Sequence, residues 1–340
     1  MRLGTRASAL ALAQAELVAK LLEAAASGQG AAEQGVRGSS VEIVPIVTRG
    51  DRESAAVDDT AAELTGEGAP GEPPPGEDKS RWVSELERAL LAGEIDAAVH
   101  SAKDVPGELG DGLELVAVPE RAGAEDVLCT GTLDSSAREL DGETLGGLPP
   151  GARVGTSSIR RIAQLRAARE DLDLVTMHGN VDTRLRKLDE GQFDAIVLAR
   201  AGLQRLGRES EASVVLDPAR FVPAPGQGAL ALQARADDEA TRDALAAIGD
   251  PDALACLLAE RSLARSLDAS CNTPLGAHAL VTDDGLRLRA WVGLPDGSAW
   301  IEDLLSGDPT GPEALGERVG ERLLAAGAAE ILRRAEEMAV

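Results

Sequence analysis

From about residue 151 onward, short apolar runs alternate with segments whose apolar residues recur at helical spacing. The predicted order is a strand at Val154, a helix at 158–169, a strand at 172–177, a helix at 181–188 and a strand at 195–198. Such alternation favours an α/β domain with a largely parallel sheet. The pattern breaks at 223–228, where Pro-Ala-Pro-Gly-Gln-Gly predicts a crossing between domains.

The N-terminal part of the chain predicts a second α/β domain. Its predicted elements are a strand at 3–4, a helix with Ser8 as N-cap, a strand at 41–47, a helix at 82–91 and a strand at 97–99. Pro45 lies inside one of these strands and indicates a sheet edge or an irregular strand end. Residues 52–78 are acidic and rich in proline, which predicts a solvated loop.

The C-terminal part changes character again. A helix at 251–267, a cysteine-containing loop, a strand-rich piece at 286–292 and a closing helix from Pro312 predict a smaller α+β domain. The predicted domains are therefore 1–120 with 224–246, then 121–223, then 247–340.

The charge balance excludes two classes of partner. Lys and Arg number 34 and Asp and Glu number 58, which gives a net charge of −24. This field repels nucleic acid and anionic membranes, so neither is expected as a main partner. The sequence shows no apolar run of about 18 residues and no secretory signal. Its three cysteines predict reduced thiols and a cytoplasmic location.

The composition also indicates adaptation to a salt-rich cytoplasm. Acidic residues are in large excess, only four of the 34 cations are lysine, and tyrosine is absent. A genome rich in G and C is the alternative explanation.

One segment departs from the acidic average. Residues 151–208 contain eleven Arg and Lys against seven Asp and Glu, so their net charge is 11 − 7 = +4. A basic segment in an acidic chain indicates an anion-binding site or, alternatively, a surface that pairs with another domain.

Two predicted strand-to-helix turns in this basic segment are suited to anions. Backbone N–H groups and hydroxyls converge at 155–161, Gly-Thr-Ser-Ser-Ile-Arg-Arg, and a similar turn follows at 179–184. Arg160 and Arg161 in a first helical turn oppose the helix dipole unless a ligand carboxylate or phosphate lies between them. An ordinary N-cap with solvated arginines is the alternative. Turns at the ends of neighbouring strands predict a ligand crevice.

The segment His100–Pro106 ends a buried strand of the first domain. Asp104 there could stabilise a developing cation or move a proton, although a simple surface pair of Lys103 with Asp104 is the alternative.

The cysteines and histidines differ in setting. Cys256 and Cys129 lie in apolar patterns and are expected to be packed, whereas Cys271 lies in a loop and is the thiol placed to react. The three histidines show no metal-ligand spacing with the cysteines, so no metal is expected.

Together, these segments resemble the porphobilinogen deaminase (hydroxymethylbilane synthase) family, and the likeness runs nearly end to end. The matching segments are 3–8, 47–51, 100–106, 155–161, 179–184, 201–207, 223–229 and 260–261, with Cys271 downstream. Each segment alone is weakly specific, but their shared order and spacing are very specific. The resemblance outweighs the simpler alternatives given for the separate motifs.

The resemblance implies two α/β domains similar to periplasmic binding proteins that face a cleft, plus a smaller α+β C-terminal domain. It also implies a monomeric, cytoplasmic transferase that joins four porphobilinogen molecules onto a dipyrromethane cofactor, releasing ammonia, and then frees hydroxymethylbilane by hydrolysis. The cofactor would be attached through a thioether to Cys271. Asp104 matches the catalytic aspartate, which would stabilise the electron-poor azafulvene left when ammonia departs.

The same resemblance assigns the binding residues. Those matched to cofactor or substrate carboxylates are Arg6, Arg160, Arg161, Arg184 and Arg205. Further donors would be Ser8, Ser101, Lys103, Thr156 and Ser158. The chain departs from the family pattern at His178, where the family has arginine, at the 52–78 loop, which leaves Lys79 as the aligned lysine, and at Ala269-Ser270 in place of two glycines. A binding or sensor protein without chemistry is the rival class, and it needs neither Asp104 nor Cys271.

Overall fold

The computed structural model of the protein describes residues 1–28, 40–47, 80–131, 140–270 and 272–338. These residues form two compact units. The first comprises Met1–Glu53, Lys79–Arg121 and Ala229–Leu254, and the second includes Ala122–Gly228 and Ala255–Val340.

The order of elements follows the predicted alternation. The strands are β1 (Arg2–Arg6), β2 (Glu42–Ile46), β3 (Ala97–Ser101), β4 (Leu113–Ala117), β5 (Asp126–Thr130), β6 (Arg153–Gly155), β7 (Asp173–Val175), β8 (Ala195–Ala199), β9 (Val214–Val215), β10 (Leu230–Arg235), β11 (Leu275–Thr282), β12 (Gly285–Gly293) and β13 (Trp300–Gly307). The helices are α1 (Ala9–Gly28), α2 (Ser80–Leu91), α3 (Ile159–Ala168), α4 (Val181–Asp189), α5 (Arg200–Arg205), α6 (Glu239–Ala246), α7 (Pro251–Ser266), α8 (Pro312–Ala325) and α9 (Ala328–Met338). Two short 3-10 turns lie at Ala102–Asp104 and Glu209–Glu211.

The first unit is built on a five-stranded sheet in the order β2-β1-β3-β10-β4. The strands β2, β1 and β3 are parallel, while β10 runs antiparallel to both β3 and β4. The strand with Pro45 lies at the sheet edge, which confirms that prediction. Successive residues of β3 face opposite sides, so Val99 packs with α1 and Ala98 packs with α2.

The second unit contains a sheet with the same layout, in the order β7-β6-β8-β5-β9. Here β7, β6 and β8 are parallel, and β5 is antiparallel to β8 and β9. The sheet is therefore mixed, whereas the sequence predicted a largely parallel one. Leu165 of α3 packs on one face, and Leu185 of α4 packs on the other.

The C-terminal part of the second unit is smaller and separately cored. Its antiparallel sheet β11-β12-β13 packs against α7, α8 and α9. Cys256 of α7 is buried in this core, and Cys129 is buried in the five-stranded sheet, which confirms that both are packing residues. After α7 the chain turns at Asp268, whose φ is +49°, and the Ala269 N–H donates to the Ala264 carbonyl at 2.9 Å.

Helix α3 joins the five-stranded sheet of the second unit to this C-terminal part. Ala163 of α3 packs with Val222 and with Trp291 of β12. Gly297 lies so close to the backbone of α3 that an added Cβ would be 2.5 Å from the Ala167 nitrogen. The middle and the last turn of α3 thus pack against the C-terminal part of the second unit.

The fold is α/β, with two sheet domains and a smaller C-terminal domain. No helix among the described residues is long and apolar enough to cross a membrane.

Candidate functional site

In the first unit, the turn after β1 begins α1. Ser8 is the predicted N-cap, and its Oγ accepts a hydrogen bond from the Ala11 N–H at 3.3 Å. Thr5 is buried and its Oγ1 donates to the Ala11 carbonyl at 3.0 Å. These bonds fix the chain on both sides of the partly buried Arg6.

The turn after β3 carries Asp104. The Ala102 N–H donates to the Ala229 carbonyl at 3.0 Å, which holds the 3-10 turn against the beginning of β10. Lys103 and Asp104 in this turn are half-buried. Ser101, just before the turn, bonds through its Oγ to the buried Gln14 amide, with an Nε2 to Oγ distance of 3.0 Å.

A series of hydrogen-bonded polar side chains lies next to this turn, and the sequence did not predict it. The Nε2 of His100 is 2.9 Å from Oε1 of Gln233, and the Gln233 Nε2 donates to the Glu87 carboxylate at 2.8 Å. Because a carboxylate only accepts, the Gln233 oxygen faces His100, and the imidazole carries its proton on Nε2. Burial lowers the pKa of His100 to about 4, so this imidazole is neutral at pH 7.

In the second unit, the turn after β6 leads into α3. Thr156 is fully buried, and its Oγ1 accepts from the Ser158 N–H at 3.3 Å. Ser158 occupies the N-cap position, but within the described part of the chain its hydroxyl accepts no hydrogen bond from the first turn of α3. The Ser158 hydroxyl therefore remains able to hydrogen-bond to another group.

Arg160 and Arg161 are buried, and a protein carboxylate lies between them. Asp126, on β5, is 2.8 Å from Nη2 of Arg160 and 2.7 Å from Nη2 of Arg161. Burial raises the pKa of Asp126, but the two guanidinium groups outweigh it and hold that pKa well below its usual range. Asp126 thus offsets the unfavourable interaction of the two arginines with the helix dipole that the sequence indicated.

Arg184 follows the turn after β7. Asn180 caps α4 by accepting the Thr183 N–H at 2.9 Å, and the Arg184 Nε donates to the Gly179 carbonyl at 2.8 Å. Burial and the nearby Arg161 lower the pKa of Arg184 to about 10. Among the residues described, no carboxylate pairs with this guanidinium.

His178 lies beside Arg184 in the same turn. Burial, Arg184 and Lys187 all lower the pKa of His178, so its imidazole is neutral at pH 7. The position adds no fixed charge at this pH.

Arg205, at the end of α5, is a second buried cation of this kind. Its Nη2 donates to the Gly228 carbonyl at 2.6 Å, and burial lowers its pKa to about 10. Over the described ranges, its Nε has no hydrogen-bond partner and its guanidinium faces no carboxylate.

Two predicted site residues, Cys271 and Lys79, lie outside the described residues. So does the predicted loop at 52–78. Within the ranges that are described, no group of three or more His, Cys, Asp or Glu residues could hold a metal ion.

The second unit therefore offers a site for a ligand with several carboxylates. Burying a cation is costly unless an anion accompanies it. Arg184 and Arg205 lack such an anion in the part of the chain that is described, and the Arg205 Nε is an unused donor. The first unit, described by itself, has a half-buried acid, Asp104, after its strand β3. The chain is thus an α/β protein with arginines suited to a polycarboxylate in one unit and an acid in the other.

Comparison with known proteins identifies the family. Residues 1–243 match the family model described as porphobilinogen deaminase, dipyromethane cofactor binding domain, and residues 254–325 match porphobilinogen deaminase, C-terminal domain. The porphobilinogen deaminase of Syntrophobacter fumaroxidans is 41% identical over 332 residues, covering 98% of this chain and 96% of that protein. That of Thiobacillus denitrificans is 44% identical over 292 residues, covering 86% of this chain and 88% of that protein.

Solved structures give only a faint likeness. A periplasmic VFT2 domain of BvgS from Bordetella pertussis is 17% identical with a TM-score of 0.39, covering 73% of this chain and 86% of that one. A putative methionine-binding lipoprotein from Bacillus subtilis is 11% identical with a TM-score of 0.39, covering 72% and 87%.

The chain belongs to the porphobilinogen deaminase family. The family is one of transferases, and its matching N-terminal domain is the one that binds the dipyrromethane cofactor.

Proposed function

We propose that this protein joins porphobilinogen molecules head to tail on a dipyrromethane cofactor, releases ammonia at each step, and frees hydroxymethylbilane by hydrolysis. The proposal rests mainly on the surroundings of Arg184. Its guanidinium is largely buried, its pKa is lowered by burial and Arg161, and it has no carboxylate partner among the described residues. Every pyrrole of this reaction brings an acetate and a propionate, which are the missing anions.

The residues present fit the cofactor. Arg161, Arg184 and Arg205 would hold its carboxylates and those of the substrate, with Arg160 behind them. Arginine suits this task because it stays charged and binds carboxylates through two N–H groups. Ser158 would donate its unused hydroxyl, Thr156 would hold the turn, and His178 would add a neutral donor. When bound, dipyrromethane supplies the primer to which each porphobilinogen is joined.

In the first unit, the proposed catalytic residue is Asp104. A carboxylate near a pyrrole N–H stabilises the positive charge that develops when ammonia leaves. Lys103 and Ser101 in the same segment, with Arg6 at the end of β1 and Ser8 after it, would orient the substrate carboxylates. Lys79 is proposed as a further contact on sequence alone.

Cys271 is proposed as the attachment thiol, and its modification is the first test. Intact mass of the purified protein should show an adduct the size of two condensed porphobilinogen units, and Cys271→Ser should lack it. Cys256→Ser, which alters a buried thiol, is the matched control and should keep the adduct. A parent protein that stays unmodified after incubation with porphobilinogen would overturn the proposal in favour of a binding protein without chemistry.

We further propose a monomer in a salt-rich cytoplasm that binds neither nucleic acid nor membranes. The net charge of −24 and the four lysines support this reading. Adaptation to salt predicts that the unfolding temperature rises steadily between 0.1 and about 2 M KCl, where the Debye length falls to roughly 3 Å or less. A flat or falling dependence would contradict the adaptation. Light scattering after gel filtration would test the monomer.

The three-domain division, 1–120 with 224–246, 121–223 and 247–340, also remains a proposal. The separately cored C-terminal sheet supports its last domain. Limited proteolysis should cut near these boundaries.

A further inference from the structure

Asp126 is the most heavily bonded buried acid next to the carboxylate site. It begins β5 and is 1% exposed. Its Oδ1 accepts from Arg161 Nε at 3.1 Å, from Arg161 Nη2 at 2.7 Å and from Gln227 Nε2 at 2.8 Å. Its Oδ2 lies 2.8 Å from Arg160 Nη2. One carboxylate thus connects β5, α3 and the crossing segment 223–228.

The two arginines are held differently. Arg160 uses both N–H groups of Nη1 on protein oxygens, at 2.8 Å from the Val222 carbonyl and 3.2 Å from Gln164 Oε1. Arg161 donates from Nη1 to the Val197 carbonyl at 2.8 Å. With its two bonds to Asp126, three of its five N–H groups are engaged and one remains on each Nη. Arg160 likewise has three engaged N–H groups, and its Nε has no hydrogen-bond partner among the described residues, but it meets Asp126 through Nη2, whereas Arg161 binds Asp126 through two nitrogens.

The orientation of Arg161 depends on Asp126 more than on any other group. Two of its three bonds end on the same carboxylate oxygen, and the third fixes the opposite side of the guanidinium plane. A carboxylate ligand needs that plane aligned before it binds, since bidentate pairing is directional. A displacement of about 1 Å in such a group costs up to 100-fold in function.

We propose that Asp126 is a positioning residue that aims the free N–H groups of Arg161 at the carboxylates of cofactor and substrate. The inference rests on the proposed function, because it needs Arg161 to bind those carboxylates. Asp126 acts through Arg161 and does not touch the ligand. Its charge also leaves the pair of arginines with a net charge of +1, which limits the burial of uncompensated charge.

The test separates position from charge with two substitutions. Asp126→Glu keeps the charge but moves the carboxylate by about one bond length, roughly 1.5 Å. Asp126→Asn keeps the shape but removes the charge. Asp171→Asn is the matched control, because Asp171 pairs with Arg169 at the other end of the same helix, with Nε to Oδ1 at 2.7 Å.

Each variant would be reconstituted with porphobilinogen and measured in three ways. Intact mass gives the fraction of chains carrying the cofactor, steady-state kinetics of the loaded fraction gives kcat and KM separately, and thermal unfolding gives Tm. Both Asp126 variants are expected to load a smaller fraction and to raise KM by about 10- to 100-fold, with kcat within about threefold of the parent. Asp171→Asn should match the parent in loading and KM.

Three results would overturn the proposal. If Asp126→Glu takes up the cofactor as fully as the parent and has the parent's KM, Asp126 acts only as a counter-ion, because its charge alone is then sufficient. A lower Tm with unchanged KM in Asp126→Asn, or the absence of any folded protein from both variants, would make it a residue of stability. A parent protein that never takes up the adduct would instead refute the proposed function, and this inference with it.

Discussion

The two five-stranded sheets share one layout but differ in the charge they bury. Each has three parallel strands followed by two that alternate in direction. In the first sheet, the buried side chains next to the turn after β3 are an imidazole and two amides, His100, Gln233 and Gln14, and Gln233 donates to the half-buried Glu87 carboxylate. In the second, they are guanidinium groups and one carboxylate, Arg160, Arg161, Arg184 and Asp126.

This difference shows that the shared topology sets where the turns lie, while the side chains set which chemistry each turn can perform. The turns at the ends of β3 and β8 hold equivalent places in their sheets, yet one carries Asp104 and the other begins the helix that ends at Arg205. A cationic surrounding suits the binding of several carboxylates.

The largest effect is expected at Asp104. Asp104→Asn should lower kcat at least about 100-fold, because the amide cannot stabilise a developing cation, while the cofactor stays attached. Product formation and intact mass would be measured together. Asp96→Asn is the control, since Asp96 pairs with Arg2 at the start of the same sheet and should keep normal turnover. A normal rate in Asp104→Asn would remove this acid from the chemistry.

The next effect is expected at Arg184. Arg184→Met keeps the aliphatic stem but loses the charge, so KM should rise about 10- to 100-fold, the equivalent of 1.5–3 kcal/mol for a charged hydrogen bond. In a Cys271→Ser background, the same change should leave Tm unchanged or raise it, because a buried cation without a described carboxylate partner is removed.

Arg186→Met is the control for that prediction. Arg186 is exposed on the same helix and pairs with Glu190 at 2.9 Å, so its loss should change neither KM nor Tm appreciably. If Arg184→Met lowers Tm strongly and leaves KM unchanged, Arg184 supports the fold and not the ligand.

A smaller effect is expected from the neutral His100. Its pKa is about 4 in the folded protein, against an ordinary value of 6.5. The unfolded chain therefore binds more protons between these values, and stability falls as the pH is lowered. The loss from pH 7 to pH 5 should be about 2 kcal/mol.

Urea unfolding of the parent and of His100→Asn at both pH values would measure this difference. The variant should lose less stability on acidification, by that amount. His178→Asn is the control and should change the pH dependence less, because His178 is exposed whereas His100 is buried. Identical slopes in the parent and His100→Asn would show that His100 is not the group that titrates.

The smallest effect is expected in the turn after β7. Gly179 has φ of +114°, and an added Cβ would be 2.8 Å from the Thr183 side chain. Gly179→Ala should cost about 1–2 kcal/mol and raise KM, because the Gly179 carbonyl holds Arg184. Gly191→Ala, at φ +72° with open space around it, should cost about 1 kcal/mol and leave KM unchanged. If Gly179→Ala and Gly191→Ala have equal KM values, the turn after β7 takes no part in binding.

The sequence predicted the alternation of elements well because helical and strand periodicity are local properties. It could not predict the direction of β5, since a buried apolar strand reads the same whichever way it runs. The conflict of Arg160 and Arg161 with the helix dipole predicted a ligand carboxylate or phosphate between them, whereas the structure has the protein's own Asp126 there. Asp126 precedes Arg160 by 34 residues and lies on strand β5, and no local pattern connects the two.

The same limit applies to His100, whose amide partner is 133 residues away. Motif resemblance located the turns that carry Asp104 and Arg184, because those turns depend on short contiguous segments. It did not reveal which arginines the protein itself neutralises. That depends on tertiary pairing, which only the folded chain displays.

The position of β10 has a consequence for how the chain is made. The second five-stranded sheet uses residues 126–215 without interruption, so its strands emerge from the ribosome together. The first sheet cannot close until residues 230–235 arrive to separate β3 from β4. Such distant pairing slows folding, and domains generally fold as they are completed. We therefore expect the second sheet to fold first during synthesis. The first sheet, whose strand β3 leads to Asp104, must wait for β10, which is made more than a hundred residues after β4.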